Sequence, residues 1–239
     1  MKRALVTGAS GGIGAAIARR LAADGHHVIV HANRRHDKAT AVAAEIAAAG
    51  GSAEAVAFDI TDAAATAAAL DAILAAGPVQ ILVNNAGRHA DAVFPGMGAK
   101  QWHTVMDVNL NGFYNVTQPL TMPMLRTRWG RIVTITSVAG LVGNRGQVNY
   151  AAAKGALHAA TKSLALELAS RNVTVNAVAP GIIATEMSDG SFDKATIERL
   201  VPMKRAGQPD EVADLVAFLV SERAAYITGQ ILSINGGMV

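Results

Sequence analysis

The feature that most constrains the fold of this chain is a regular alternation between short apolar runs and longer alanine-rich stretches. The short runs are rich in valine and isoleucine, as expected of strands buried on both faces. The longer stretches suit helices, because alanine favours the helix more than any other residue. Seven runs are predicted strands: Leu5-Val6, Val28–Val30, Ala55–Phe58, Ile81–Val83, Ile132–Ile135, Val173–Val175 and Ile231–Ile234. Six stretches are predicted helices: Ala15–Ala23, Lys38–Ala49, Ala63–Ala76, Trp102–Leu125, Val148–Ala169 and Pro209–Ser221.

This order of elements predicts an α/β fold. Buried parallel strands joined by helices need right-handed crossovers, which place helices on both faces of the sheet. The expected architecture is a doubly wound, three-layer sandwich. We find no internal repeat and no linker, and Asp189-Gly190-Ser191 is the most loop-like interior segment. The chain is therefore expected to form one domain over residues 1–239.

Composition excludes several classes of function. The net charge is only +3, lysine and arginine are scattered, and aromatic residues make up 4% of the chain, which argues against nucleic-acid binding. No stretch approaches the roughly 18 apolar residues of a membrane span. There is no cysteine, and the seven histidines lack metal-ligand spacing, so no metal site is expected. These features are typical of a cytoplasmic protein.

A glycine-rich segment follows the first predicted strand and leads directly into a helix. It reads Thr7-Gly8-Ala9-Ser10-Gly11-Gly12-Ile13-Gly14. Glycines allow a tight turn that brings backbone N–H groups against a pyrophosphate, at a helix N-terminus where the helix dipole favours anions. A tight turn alone would also explain the glycines, but their place between strand and helix favours dinucleotide binding.

The end of the second predicted strand bears on the choice of dinucleotide. The segment reads Val30-His31-Ala32-Asn33-Arg34-Arg35, with no carboxylate before Asp37. A carboxylate there would bind the ribose 2′-hydroxyl of NAD, whereas a positive side chain accepts the 2′-phosphate of NADP. The segment therefore favours NADPH, although the two arginines could simply be solvated residues at a helix start.

A tyrosine and a lysine stand four residues apart on a predicted helix, at Tyr150 and Lys154. Residues at i and i+4 share a helix face, so the ammonium is expected to lower the pKa of the phenol and make it a usable acid or base. Ser137 closes the fifth strand, at the sheet edge where such folds place ligands. Asn109 lies in the middle of a predicted helix, where asparagine is unfavourable, so a function or a local kink is expected there.

With these residues in view, the chain resembles the short-chain dehydrogenases/reductases. The matching pieces occur in family order along the whole chain: Thr7–Gly14, Asp59, Asn84–Gly87, Asn109, Ser137, Tyr150, Lys154 and Pro180-Gly181. The resemblance implies a Rossmann fold with seven parallel strands and usually a homotetramer. It implies that Tyr150 gives a proton to a ketone and Ser137 positions the carbonyl. Lys154 would hold the nicotinamide ribose and tune Tyr150, and Asn109 would anchor a relay water.

The same resemblance implies a set of cofactor-binding positions. Asp59 would contact the adenine, the segment up to Gly87 would line the cofactor floor, and the segment from Pro180 would follow the nicotinamide. The expected cofactor residues are Gly8, Ser10, Gly12, Ile13, Gly14, Asn33, Arg34, Asp59, Ile60, Asn85, Ala86, Gly87, Tyr150, Lys154, Pro180, Gly181, Ile183 and Thr185.

Finer features resemble the 3-ketoacyl-[acyl-carrier-protein] reductase branch of this family. They are Gly146–Tyr150, Val178–Met187 and the C-terminal segment from Tyr226 to Met238. The substrate implied is a 3-ketoacyl thioester on acyl carrier protein, an acidic partner. Arg128 and Arg171 match basic positions of this branch, near the rim of the site, that meet the carrier; ordinary surface arginines are the alternative.

Several questions stay open at this level. Gly11 stands where many relatives carry an arginine that helps to hold the 2′-phosphate, which weakens the preference for NADPH. Asn144–Gly146, Pro202–Arg205 and Pro119–Met124 resemble a variant from aryl-polyene pigment clusters, whose substrate tail is aromatic and polyunsaturated. The segment 188–201 is the expected lid over that tail. Rival functions are a reductase or dehydrogenase of another ketone or alcohol (a sugar, a steroid or a small ketone) and a dinucleotide-sensing or scaffold protein that keeps the fold and loses the chemistry.

Overall fold

The computed structural model of the protein describes residues 1–185 and 193–239. In these ranges seven parallel strands form one sheet in the order β3-β2-β1-β4-β5-β6-β7. The strands are β1 Arg3–Val6, β2 His27–Ala32, β3 Ser52–Ala57, β4 Ile81–Asn84, β5 Gly130–Ile135, β6 Val173–Pro180 and β7 Ile231–Ile234. The order reverses between β1 and β4, which is where doubly wound sheets open a crevice at their carboxyl edge. The predicted α/β fold is confirmed.

Helices cover both faces of the sheet. They are α1 Gly12–Ala23, α2 His36–Ala48, α3 Ala63–Ala75, α4 Ala99–Met106, α5 Gly112–Thr127, α6 Ala139–Val142, α7 Val148–Leu168, α8 Lys194–Leu200 and α9 Pro209–Val220. Successive strand residues point to opposite faces, so Leu5 packs in a core with α3, α5 and α7, whereas Val6 packs in a second core with α1, α2 and α9. The two cores hold the sheet between two layers of helices, and this packing sets the position of its carboxyl edge.

The long helix predicted over Trp102–Leu125 is interrupted. α4 and α5 are joined by a π-helical turn at Asp107–Asn111, which contains Asn109. This is the local distortion that the sequence favoured at Asn109. At the start of α5, a Cβ on Gly112 would lie 2.6 Å from Cδ1 of Ile60, so a larger residue there would displace the Ile60 side chain.

The structure differs from the predicted elements at other places. α6 and α8 were not predicted, because four and seven residues carry too little periodicity to be recognised. β3 begins three residues earlier than expected and is only partly buried, because it lies at the edge of the sheet. The segment Asp189-Gly190-Ser191 and the start of the expected lid lie outside the described residues. The rest of that lid contains α8.

The described residues contain neither a candidate membrane-spanning helix nor a candidate metal-binding cluster. No helix there has the length and apolar character needed to cross a membrane. No cluster of three histidine, aspartate or glutamate side chains there could hold a metal ion.

Candidate active site

The glycine-rich segment forms a compact loop between β1 and α1. Gly8 and Gly12 have positive φ values of 64° and 54°, which glycine adopts without strain. A Cβ on Gly14 would lie 2.4 Å from the carbonyl oxygen of Gly8, so glycine is required there for close approach of two backbone segments. The loop thus presents the first backbone N–H groups of α1 at the carboxyl edge of the sheet, where an anion is favoured.

The loop is tied to the end of β4 by two side chains. The Thr7 hydroxyl accepts hydrogen bonds from the backbone N–H groups of Asn85 and Ala86, each 3.0 Å long. The Asn85 amide donates to the carbonyl oxygens of Thr7 and Gly8, at 2.9 and 3.1 Å. Asn85, expected to line the cofactor floor, therefore braces the glycine loop. Thr7 was not singled out for this role.

Three polar residues that follow β2 and β3, Asn33, Arg34 and Asp59, lie close to one another. Two hydrogen bonds from Thr61 hold the pKa of Asp59 below its ordinary range, and the charge of Arg34 and a hydrogen bond from Asn33 act in the same direction. The side chains of Asn33 and Arg34 are exposed, whereas Asp59 is half-buried. The structure thus brings together the residues expected at the adenosine end of a dinucleotide.

The segment that follows β6 lies beside Gly12 of the glycine loop. A Cβ on Gly12 would lie 3.6 Å from a methyl carbon of Thr185. Ile183 is buried and forms an isolated bridge with Gly207, while Gly181 donates a backbone hydrogen bond to Ile234. The predicted segment from Pro180 to Thr185 therefore comes next to the glycine loop at Gly12.

Ser137 and Tyr150 meet beyond the carboxyl end of β5. Ser137 follows β5, and its hydroxyl accepts a hydrogen bond at 3.1 Å from the backbone N–H of Ala139, the first residue of α6. Tyr150 lies in the first turn of α7 and hydrogen-bonds the Ser137 side chain. A carbonyl oxygen placed here would meet two hydroxyl groups, which is an arrangement for polarising and protonating a ketone.

The expectation that Lys154 lowers the pKa of Tyr150 is wrong for this structure. Burial of the phenol raises its pKa, the hydrogen bond from Ser137 opposes that shift, and the negative charge of Asp91 adds to it. The Lys154 ammonium lies 5.5 Å from the centre of the Tyr150 ring and donates to the carbonyl oxygen of Ile135 at 2.9 Å. Tyr150 is consequently held as the neutral phenol, the form that can donate a proton.

Lys154 and Asn109 converge on Gly87. A Cβ on Gly87 would lie 2.9 Å from Oδ1 of Asn109 and 3.3 Å from Nζ of Lys154. Asn109 donates through Nδ2 to the carbonyl oxygens of Arg88 and Val105, while its buried Oδ1 has no partner. An unpaired buried acceptor normally signals an unfilled partner such as a water or a ligand.

A small cavity with room for about one water molecule lies beside these groups. Its lining includes Asn109, Lys154 and Thr134, and the hydroxyl of Thr134 is a second buried polar atom without a partner. Thr134 was not predicted, since a threonine inside a β-branched strand looks like an ordinary strand residue. The cavity lies beside the unpaired Asn109 oxygen, where a relay water is expected from the sequence.

Burial also acts on Lys154, whose side chain is almost completely enclosed. It lowers the pKa of Lys154 from its ordinary value of 10.5 to about 8. The unfolded chain therefore keeps this proton more tightly than the folded chain does. Below pH 8 the full cost is present, at most about 3 kcal/mol, and it disappears as the pH rises from 8 towards 10.5.

Lys154→Met should therefore raise the free energy of unfolding at pH 7 by about 1–3 kcal/mol, with the lost hydrogen bond to Ile135 subtracting about 1 kcal/mol. The gain should shrink between pH 8 and 10. Urea unfolding at pH 7 and at pH 10 measures this gain in stability. Lys162→Met is the control, because Lys162 is an exposed residue on the same helix. A Lys154→Met variant less stable than the wild type at pH 7 would contradict this account.

The residues present fit a nicotinamide dinucleotide. The glycine loop leads into the N-terminus of α1, Asn33 and Arg34 lie beside Asp59 at one end, and Gly87 with the unpaired Asn109 acceptor lies at the other. Predicted residues that lie apart from this crevice are Arg128 and Arg171. They precede β5 and β6, at the amino edge of the sheet, so the expectation that they lie near the rim of this chain's own site is wrong.

Comparison with known proteins agrees with this geometry. The profile of the short chain dehydrogenase family matches residues 2–196. A 3-oxoacyl-[acyl-carrier-protein] reductase FabG of Aggregatibacter actinomycetemcomitans is 47% identical over 236 residues, which is 98% of each chain. The enzyme of the same name from Staphylococcus aureus is 45% identical over 99% of this chain and 98% of its own. A 3-oxoacyl-[acyl-carrier-protein] reductase of Synechocystis is 46% identical over 99% of this chain and 96% of its own.

Proposed function

The chain belongs to the short-chain dehydrogenase family, and from that membership we propose that it reduces 3-ketoacyl thioesters carried on acyl carrier protein, with NADPH as the reductant. The product is the 3-hydroxyacyl thioester. The observation that carries the proposal is identity of 45–47% over nearly the whole chain with enzymes named for this reaction. The site supports it, because Ser137 and Tyr150 offer two hydroxyl groups to one carbonyl oxygen.

In this mechanism the glycine loop, Asn33, Arg34 and Lys154 would hold NADPH, which would supply the hydride that the carbonyl carbon receives. Ser137 donates a hydrogen bond that fixes the carbonyl oxygen, and Tyr150 transfers its phenolic proton to that oxygen. The raised pKa of Tyr150 keeps this proton in place until charge develops on the substrate oxygen. Lys154 would hold the nicotinamide ribose, and Asn109 would orient a water through its unpaired Oδ1, from which Tyr150 would regain its proton.

The same crevice would hold the cofactor from end to end. Residues Gly8 to Gly14, including Ser10 and Ile13, would bind the pyrophosphate at the N-terminus of α1. Asp59 and Ile60 would bind the adenine, and Asn33 and Arg34, which lie beside Asp59, would bind the 2′-phosphate. Ala86, Gly87 and the segment from Pro180 to Thr185 would bind the nicotinamide.

Gly11 gives a direct test of how strongly NADPH is preferred. A side chain at this exposed helix cap would meet nothing within 4 Å, and the backbone is extended there, so any residue fits. Gly11→Arg should lower the KM for NADPH about fivefold to tenfold and leave the KM for NADH unchanged, because a guanidinium binds phosphate well. Steady-state kinetics measure both constants, and Gly11→Gln separates charge from size. Equal effects on both cofactors would exclude this role.

We also propose that the carrier docks on Arg128 and Arg171. Both side chains are exposed, and both lie at the sheet edge opposite the active site. They can approach a site only if another subunit supplies them, so docking and the proposed homotetramer are linked.

We further propose that residues 1–239 form one domain, since the sheet uses strands from Arg3 to Ile234. We also propose that the enzyme is cytoplasmic.

Charge reversal tests this docking site. The double variant Arg128→Glu and Arg171→Glu should raise the KM for a substrate on the acidic carrier about tenfold, since two attractive contacts become repulsive. The KM for the same acyl group on coenzyme A should stay unchanged. Kinetics with both substrates, beside light scattering to check the oligomer, give the answer. Parallel losses on both substrates would show damage to the site instead.

The proposed reaction is tested by following oxidation of NADPH and, separately, of NADH with an acetoacetyl thioester. NADPH-preferring turnover that yields the 3-hydroxy product would establish ketoacyl reduction. Thioesters with aliphatic and with aryl-polyene tails, compared by kcat/KM, then identify the natural tail. If the chain binds NADPH but leaves every thioester intact, the substrate assignment fails, and sugars, steroids and small ketones are screened next. Binding without turnover of any of these would favour the sensor alternative.

A further inference from the structure

His31, near the end of β2, is almost fully buried and hydrogen-bonded through both ring nitrogens. The backbone N–H of Gly8 donates to Nδ1 at 3.1 Å, and Nε2 lies 2.9 Å from the carbonyl oxygen of Phe58. Since Nδ1 accepts, the ring must carry its proton on Nε2 and donate it to Phe58. One imidazole therefore joins two loops that are 50 residues apart in sequence.

The two loops are those proposed to hold the phosphate and adenine portions of the cofactor. Gly8 opens the glycine loop with a positive φ, and its backbone N–H donates to the His31 ring. Phe58 immediately precedes Asp59 and Ile60. The backbone reinforces the link, because the N–H of Ala9 donates to the carbonyl oxygen of His31 at 2.8 Å, and that of Phe58 donates to Ala32 at 3.1 Å.

We propose that His31 is a positioning residue for the dinucleotide, which holds the glycine loop and the Asp59–Ile60 loop in register through its two ring nitrogens. This inference rests on the proposed function, because it assigns both loops to one cofactor. An apolar residue at this place would fill the same space and leave the Gly8 donor and the Phe58 acceptor buried without partners.

The surroundings keep the imidazole in the state that this role needs. Burial lowers the pKa of His31 to about 4, although the Phe58 carbonyl and the Asp59 charge oppose the shift. The Phe58 ring lies 4.3 Å from the imidazole centre and restricts its rotation. Near neutral pH the ring is therefore uncharged, with one nitrogen free to accept and the other able to donate.

Three variants at this site separate the two bonds. His31→Leu removes both. His31→Asn places an oxygen near the position of Nδ1 and can still accept from Gly8, whereas His31→Gln reaches the position of Nε2 and can still donate to Phe58. His27→Leu is the matched control, because His27 lies on the same strand at its amino end and hydrogen-bonds Ser52.

The measurement is the Kd for NADPH by calorimetry at a temperature where each variant is folded, together with kcat at saturating NADPH. His31→Leu should raise the Kd for NADPH about tenfold and leave kcat within twofold of the wild type. The Kd values of His31→Asn and His31→Gln should lie between those of the wild type and His31→Leu. His27→Leu should keep the wild-type Kd. A His31→Leu variant that is less stable but binds NADPH as the wild type does would overturn the proposal.

A failure of the His31 proposal can be distinguished from a failure of the proposed function. If the wild type binds NADPH but does not reduce the thioester, the Kd series still decides the role of His31. If the wild type binds neither NADPH nor NADH, the proposed function fails and the inference about His31 falls with it.

Discussion

Tyr150→Phe is expected to lower kcat for ketoacyl reduction by about 10³-fold while leaving the Kd for NADPH within about twofold of the wild type. The substitution keeps the aromatic ring and removes only the hydroxyl that hydrogen-bonds Ser137. Removal of a positioned general acid typically costs 10²- to 10⁴-fold, because the developing alkoxide then has no proton donor within reach. The measurement is steady-state NADPH oxidation beside a binding titration.

The matched control for this experiment is Tyr114→Phe, because Tyr114 is 64% exposed and lies on α5 away from Ser137. That variant should retain full activity. If Tyr150→Phe kept a tenth or more of wild-type turnover, another group would have to supply the proton, and the role of Tyr150 would be wrong. If it lost NADPH binding as well, the defect would lie in the fold of the site and not in proton transfer.

Gly14→Ala is expected to abolish measurable dinucleotide binding and to lower the free energy of unfolding by about 3 kcal/mol or more. The added Cβ would lie 2.4 Å from the Gly8 carbonyl oxygen, 2.5 Å from Nδ2 of Asn85 and 2.9 Å from Cα of Ala9. Two of these atoms belong to the backbone of the glycine loop, so the clash cannot be relieved by a side-chain rotation. Such overpacking costs about 1–3 kcal/mol and sometimes more.

Helix propensity predicts the opposite sign for this substitution. Gly14 lies in the first turn of α1, and alanine in a helix is favoured over glycine by about 0.5–1 kcal/mol. Urea unfolding and NADPH titration of Gly14→Ala beside Gly11→Ala measure the difference, because a Cβ on Gly11 would meet nothing within 4 Å. Gly11→Ala should resemble the wild type. A stable Gly14→Ala variant with wild-type affinity would show that the loop can open without loss of function.

Much of the fold followed from local patterns in the sequence. All seven strands overlap their predicted runs, because a buried parallel strand needs consecutive apolar residues and its neighbours in sequence carry that signal. The spacing of Tyr150 and Lys154 and the glycine segment before α1 pointed to the candidate site for the same reason. Helix and strand geometry alone place these residues at the carboxyl edge of the sheet.

Other properties depend on residues that are distant in the chain. The raised pKa of Tyr150 comes from burial and from Asp91, which sequence spacing to Lys154 could not reveal. The link from Gly8 through His31 to Phe58 joins three strand ends. The unpaired oxygens of Asn109 and Thr134 are recognisable only once the layers enclose them.

The sequence by itself therefore determined the seven strands, the longer helices between them, the layers they form and the residue types at the carboxyl edge. Tertiary structure alone decided which side chains are dehydrated, which polar atoms find partners, and that Arg128 and Arg171 stand at the opposite edge from Tyr150. The physical reason is the separation along the chain over which each effect acts. Periodicity and turn geometry act between neighbours in the chain, whereas desolvation and hydrogen-bond partnership depend on groups that only the packed sheet brings together.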